Sequence, residues 1–228
     1  CPAPQVGCHR LLSHPPWLLK RWEARYGREQ TMAICQANNA PAPLCVRVNT
    51  VKITVESFLT TLAEADIAAE RGRYAPAAVL LPDFRGPVAS LPGYPEGLFQ
   101  VQDQAAQLVT LLAAPFAPGT YLDACAGLGG KTTHLAELLP AGSALTAVEP
   151  SAARVGRLAE NLGRLGLTER VTVQAGQLAD LAAAGAAFDA ILLDAPCSGL
   201  GVIRRHPDIR WNRSPEDLVR YQQKQLAL

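Results

Sequence analysis

The chain has 228 residues, 49% of them hydrophobic and 18% charged, which excludes a disordered chain and allows one large or two modest domains with real cores. Twenty-one basic residues stand against twenty acidic ones, so no global positive field announces a nucleic acid, and an RNA or DNA site has to be a local patch. No apolar run reaches membrane-spanning length and no signal-peptide pattern opens the chain, which leads us to expect a cytoplasmic protein without a membrane partner.

In chain order, residues 1–13 read as a ragged start, with Cys1-Pro-Ala-Pro4 unable to begin a helix securely. Ser13-His14-Pro15-Pro16 then opens a helix, with Ser13 or His14 as its cap and proline in the first turn. Trp17, Leu18, Trp22 and Arg25 follow at helical spacing, and Lys20, Arg21, Arg25 and Arg28 add positive charge. A second helical run, Thr31 to Asn38, ends at the breaker Asn39-Ala-Pro-Ala-Pro43. Leu44 to Asn49 alternates as a strand, Thr54 to Ala69 is an amphipathic helix, and 77–81 is a strand. The Pro/Gly-rich stretch 82–95 is a loop, and 98–102 is a short strand. A helix over Gln104 to Ala114 ends at Pro115, and a domain boundary is expected near residue 102.

The second half alternates. Strands are expected at 120–124, 144–148, 170–174 and 188–193, helices at 130–139 and 151–165, a small-residue segment at 176–186, and a last helix running toward Leu228. Apolar strands alternating with helices imply a parallel sheet covered on both faces, so the fold class is α/β. The six cysteines (Cys1, Cys8, Cys35, Cys45, Cys125 and Cys197) include no Cys-x2-Cys pair, so neither a metal site nor a disulfide framework is indicated.

The chain turns on the stretch Thr120 to His134. A short apolar run reaches Asp123, a small-residue loop follows (Cys125-Ala126-Gly127-Leu128-Gly129-Gly130), and Lys131 begins a helix. Strand, glycine loop and helix open a nucleotide-binding unit, because glycines let the backbone approach a ligand and the helix N-terminus presents unpaired N–H groups. The spacing matches neither Gly-x-Gly-x-x-Gly nor a P-loop. Glu149, at the end of the next strand, suits the ribose hydroxyls of a nucleoside cofactor, although a plain surface acid is the bland alternative. Asp194-Ala195-Pro196-Cys197-Ser198 follows the fourth strand, where ligands of such sheets bind. A buried thiol is the commoner fate of a lone cysteine. Arg204, Arg205 and Arg210 are candidates for phosphates, and His206 or Trp211 for a stacked base, against the alternative of a solvated basic loop.

Three stretches together (Ala126 to His134, Asp194 to Ser198, and Gly201 to Trp211) resemble the bacterial 16S ribosomal RNA cytosine-C5 methyltransferases of the RsmB (Sun/Fmu) type. Ser13 to Arg21, Leu44 to Asn49 and Val101 to Asp103 look like the same family, so the resemblance runs from about residue 8 to the end. It implies a class I (Rossmann-like) S-adenosylmethionine-dependent methyltransferase sheet with a small N-terminal α/β RNA-binding subdomain. The expected division is 1–102 and 103–228. It also implies S-adenosyl-L-methionine as cofactor, 16S rRNA as partner, and a monomer without metal. By motif match, Cys125, Ala126, Gly127, Leu128, Gly129, Gly130 and Lys131 would wrap the methionine and ribose, Glu149 would hold the ribose hydroxyls, and Gln177 would meet the adenine. Asp194 would face cofactor and target base. The family's chemistry is covalent: a thiolate adds to C6 of an unpaired cytosine, C5 takes the methyl group, and loss of the C5 proton and the thiol frees the product.

The sequence departs from the family pattern at four places. Leu128 stands where a proline is usual, Gln177 where an acid is, and Glu149 where an aspartate is. The attacking cysteine of the family lies in a Thr-Cys-Ser motif after a fifth strand, and no such motif occurs here; through its Pro-Cys-Ser motif the resemblance implies that Cys197 is the cysteine that assists product release. The sheet is therefore expected to be incomplete at its C-terminal side, with the fourth strand at an apolar edge. Two alternatives follow: a truncated, catalytically inactive RNA- or cofactor-binding fragment, or attack by Cys197 itself as in DNA cytosine methyltransferases, against which the ribosomal-type run 201–211 speaks.

Overall fold

A computed structural model describes residues 12–114 and 116–228. Cys1, Cys8, the first eleven residues of the expected ragged start, and the helix stop at Pro115 lie outside the described residues. The chain forms two compact units, residues 43–195 and residues 1–42 with 196–228.

In the larger unit, β1 (Leu44–Val48), β2 (Glu70–Arg71), β3 (Ala78–Leu81) and β4 (Phe99–Val101) form an antiparallel sheet in the order β2-β3-β1-β4. Helix α2 (Val55–Glu64) starts at Thr54, whose hydroxyl accepts the Ser57 N–H at 3.1 Å. It stops short of the expected Ala69, because Asp66 takes a left-handed φ of 57° and Ile67 N–H turns back to the Leu62 carbonyl. Val46, Val48, Phe58, Leu62, Val79, Leu81 and Phe99 form the core beneath α2. The opposite face of β1 is buried as well. Cys45 packs there with Ala75, Ala78 and two leucines of α3 (Gln104–Leu112), and Arg47 is 0% exposed.

The second sheet is parallel, with β5 (Thr120–Asp123), β6 (Ala144–Glu149), β7 (Val171–Ala175) and β8 (Ala190–Leu192) in the order β7-β6-β5-β8. Helices α4 (Gly130–Leu138) and α5 (Ala152–Leu165) cover one face, where Leu158, Leu162 and Leu165 pack against Tyr121, Leu145 and Ala147. The other face packs Leu122, Ala124 and Val148 against Leu178, Leu181 and Phe188. That brings an unexpected helix, α6 (Leu178–Ala183), into the small-residue segment: Leu178 and Leu181 share one side of a single turn and a half. As expected, β8 ends the sheet with an apolar edge, where Ile191 is 59% and Leu193 48% exposed.

A polar seam joins the two sheets. Asn49 donates to the carbonyls of Gly97 and Leu165 at 3.0 and 3.1 Å. Arg164 donates to the carbonyls of Tyr94 and Phe99 and lies 4.2 Å from the Tyr94 ring centre. Approach is so close that a Cβ on Gly97 would sit 2.0 Å from the Arg164 carbonyl oxygen, and its φ of +67° also demands glycine.

In the smaller unit, α1 (Pro16–Asn39) is two helical segments meeting at Gly27, whose φ of 77° and ψ of 168° interrupt the helix. The cap position falls to Pro15, so neither Ser13 nor His14 caps it. Ser13 is left-handed, and His14 is buried with its Nδ1 at the Leu12 carbonyl and its Nε2 at Asn38. Helix α7 (Pro215–Leu226) starts at Ser214, whose N–H goes to Asp217 at 3.0 Å.

Candidate cofactor site and cysteine loop

The strand order β7-β6-β5-β8 is that of a half-wound sheet whose direction switches between β5 and β8. A crevice at the carboxyl ends of those two strands follows from the topology. Asp123 ends β5 and Asp194 follows β8, so both acids reach that edge.

The loop between β5 and α4 is shaped by two left-handed glycines, Gly127 (φ +58°) and Gly129 (φ +88°). A Cβ on Gly129 would also meet Leu158 at 2.4 Å. No side chain caps α4, whose first turn follows Gly129. Glu149 holds this loop from β6. It is 2% exposed; one carboxylate oxygen accepts the Gly127 N–H at 3.1 Å, and the other accepts the Ser151 N–H at 2.8 Å and pairs with Arg154 at 3.0 Å. On the other side Lys131 forms an ion pair with Asp194. Two separate contacts thus bear on the loop and the start of α4: Gly127 with Glu149, and Lys131 with Asp194. Leu128 is exposed at the loop tip, with its carbonyl taken by Asn161 at 2.9 Å.

Beneath the loop, Asp123 is buried and accepts Thr132 Oγ1 at 2.7 Å and the Cys125 N–H at 3.3 Å. Burial pushes its carboxyl above the usual range, against the pull of these two bonds. The Cys125 thiol is pushed up too, first by burial and then by the charges of Asp123, Asp194 and Glu149. This is the reverse of the shift that activates a cysteine as a nucleophile. Sequence reasoning passed over Asp123 and Thr132 as a bonded pair, although nine residues spanning a strand end and a helix first turn is a spacing that permits it. Gln177 stands exposed at the N-cap of α6, with its N–H given to Asp180 at 2.9 Å.

Cys197 belongs to the smaller unit and is exposed. With Trp17, Lys20, Arg21, Arg25 and Tyr221 it lines an open groove of about 940 Å³ within that unit. The basic run 201–211 divides in a way its charge does not announce. Arg210 is 4% exposed and donates to Ser13, Asn38, Asn39 and Pro207; Arg204 donates to the carbonyls of Ala40 and Pro41. Burial and these bonds take Arg210 out of the candidates for phosphates, whereas Arg204 bonds two carbonyls but stays exposed. Trp211 (56% exposed) and His206 remain at the surface. Among the described residues no group of three metal-ligating side chains occurs, and no helix is long and apolar enough to cross a membrane.

A family model described as "16S rRNA methyltransferase RsmB/F" matches residues 110–228. The chain belongs to this family. A second model, the RsmF/B-like ferredoxin-like domain, matches residues 14–88. The chain is similar to ribosomal RNA small subunit methyltransferase B of Sodalis glossinidius (strain morsitans), 43% identical over 210 residues that cover 90% of this chain and 47% of that protein. The protein of the same name from Escherichia coli O6:K15:H31 (strain 536 / UPEC) is 42% identical over 212 residues, covering 93% and 49%. The chain spans about half the length of the curated relatives it matches. Among solved structures, that of PH0851 superposes with a TM-score of 0.90 at 26% identity, covering 100% of this chain and 53% of that one. A methyltransferase homolog from Pyrococcus horikoshii gives 0.77 at 27% identity, covering 92% and 65%. The RsmB-type resemblance and the α/β fold with a parallel sheet are borne out.

Proposed function

We propose that this RsmB/F-family chain takes part in the transfer of a methyl group from S-adenosyl-L-methionine to C5 of a cytosine in 16S rRNA, in the cytoplasm and as a monomer. Residues 1–102 serve as the N-terminal RNA-binding subdomain and 103–228 as the cofactor-binding domain. One observation carries this reading: the buried Glu149 carboxylate closes the glycine loop through Gly127 at the edge of a switched parallel sheet.

The residues present fit that cofactor. Gly127 and Gly130 have open space where a side chain would stand, so the backbone can approach a ligand. The oxygen of Glu149 bonded to Gly127 keeps a lone pair for a ribose hydroxyl. When bound, S-adenosylmethionine supplies an activated methyl group. Lys131 holds Asp194 beside the loop, where its carboxylate faces cofactor and base, and Gln177 offers its amide oxygen to the adenine amino group. Cys197 assists release of the methylated base. RNA phosphates meet the exposed Lys20, Arg21 and Arg25 of α1.

Calorimetric titration of the chain with S-adenosylmethionine tests the reading. Saturable binding that is lost in Asp194→Ala is expected; a folded sample that does not bind refutes it. For Cys197, replacement by alanine in the full-length protein is expected to leave trapped RNA adducts, and an absence of adducts overturns its part.

A further inference from the structure

Arg47 sits on β1 of the antiparallel sheet, not on the parallel one, yet it is fully buried and most of its donors go to residues of α4, from its first residue Gly130 to Glu137 in its last turn. A guanidinium has five N–H groups in a fixed fork. Here each finds an acceptor. Nε and one Nη2 hydrogen grip the two carboxylate oxygens of Glu137 at 3.1 and 2.8 Å. Nη1 reaches the Gly130 carbonyl at 2.9 Å and the side-chain oxygen of Gln102. The second Nη2 hydrogen goes to Thr133 Oγ1 at 2.9 Å.

Burying an ion pair is costly, and an apolar seam of the same volume is often as stable or more so. So stability by itself is a weak explanation of this arrangement. The path of the hydrogen bonds supplies another. Because Thr133 Oγ1 accepts from Arg47, its own hydrogen is directed onward, and it goes to the Gly129 carbonyl at 2.7 Å. Gly129 is the left-handed residue that ends the glycine loop, and Gly130 is the first residue of the helix. A loop with two left-handed glycines has few internal restraints. Arg47 provides an external one, by clamping Gly130 directly and Gly129 through Thr133.

We infer that Arg47 is a positioning residue for the cofactor: from the antiparallel sheet it sets the loop that Glu149 holds from the other side, so cofactor affinity depends on a residue of the other sheet. This rests on the cofactor reading above. It gives the seam between the sheets a functional meaning, since a shift of the antiparallel sheet would be transmitted to Gly129 and Gly130.

The test is calorimetric titration of the chain with S-adenosylhomocysteine as the probe. Arg47→Lys keeps the charge but loses the fork. Thr133→Val removes the relay, and Thr133→Ser restores it. Phe58→Leu, in the core under α2, is the control for lost stability without a change at the loop. Arg47→Lys and Thr133→Val are expected to weaken binding by about tenfold or more, while Thr133→Ser and Phe58→Leu stay within about twofold of the unsubstituted chain. Should Arg47→Lys fail to fold, Thr133→Val against Thr133→Ser still decides. The inference is overturned if the folded variants bind as the parent does, or if Phe58→Leu loses as much affinity as they do at equal loss of melting temperature. Failure of the parent chain to bind sinks the cofactor reading itself, and is seen before any variant is compared.

Discussion

Residues 43–195 carry ten basic and fifteen acidic side chains, whereas residues 1–42 and 196–228 carry eleven and five. A net charge of +1 thus conceals one acidic unit and one basic unit. The two also use their arginines differently. In the acidic unit Arg47 and Arg164 are spent inside, on Glu137 and on backbone carbonyls. In the basic unit Arg210 does the same, but Arg204 bonds its carbonyls at the surface and Lys20, Arg21 and Arg25 stand exposed on one helix. The lesson is that total charge says little about a nucleic-acid surface until the internally bonded cations are subtracted.

The largest expected effect sharpens the acidic half of this comparison. Glu149→Ala leaves the N–H groups of Gly127 and Ser151 without their acceptor, which is expected to cost about 2–3 kcal/mol in urea unfolding and to abolish cofactor binding. Unchanged binding would show that the loop is not held from β6. Next, Arg210→Ala is expected to lower stability by about 2 kcal/mol while Trp211→Ala does not, because only the first is bonded inside. Equal melting temperatures for the two would break the division between structural and surface residues of the run 201–211. A smaller effect separates the units. Replacing Lys20, Arg21 and Arg25 together by alanine should reduce the slope of RNA affinity against salt by about 2, without altering cofactor affinity. A changed cofactor affinity with an unchanged slope would reverse the assignment.

The last effect shows only in the pH dependence of stability and concerns His134, buried on α4, whose pKa is pushed down to about 3 by burial and by Arg47. The unfolded chain takes up a proton on this residue as pH falls below about 6.5, and the folded chain does so only near 3. Its contribution to stability is therefore complete above pH 6.5 and is lost as pH falls toward 3. Asp123 and Glu137, raised by burial, act in the opposite sense, so the test is a difference. Between pH 6.5 and 4 the stability of the parent chain relative to His134→Leu should fall by up to about 1.4 kcal/mol per pH unit. A pH-independent difference would show that His134 titrates normally.

Much of the fold was legible because burial patterns repeat along the chain. Strand and helix periods located β5 to β8, α4 and α5, and the glycine loop after β5 and Asp194 after β8 lie where they were read, at the carboxyl ends of two neighbouring strands. Three things were not legible. Helix α6 has only six residues and mostly alanine, too few for a period to show. The alternation of β1 marked a strand but gave Arg47 no part, because nothing local says that a second sheet's helix covers its face. Arg204 and Arg210 look like phosphate ligands in any sequence, because charge is visible and hydrogen-bond partners more than 160 residues away are not.

By itself, the sequence determined the α/β class, the order of the parallel half, the glycine loop and the family to which the chain belongs. These rest on local spacing and on conformations only certain residues adopt, such as the left-handed φ at Gly127 and Gly129. Tertiary structure alone decided which charges are spent inside and which remain outside, and that the glycine loop is gripped from two sheets at once. Such pairings are made between residues far apart in the chain, and their energy depends on burial, which no local pattern records.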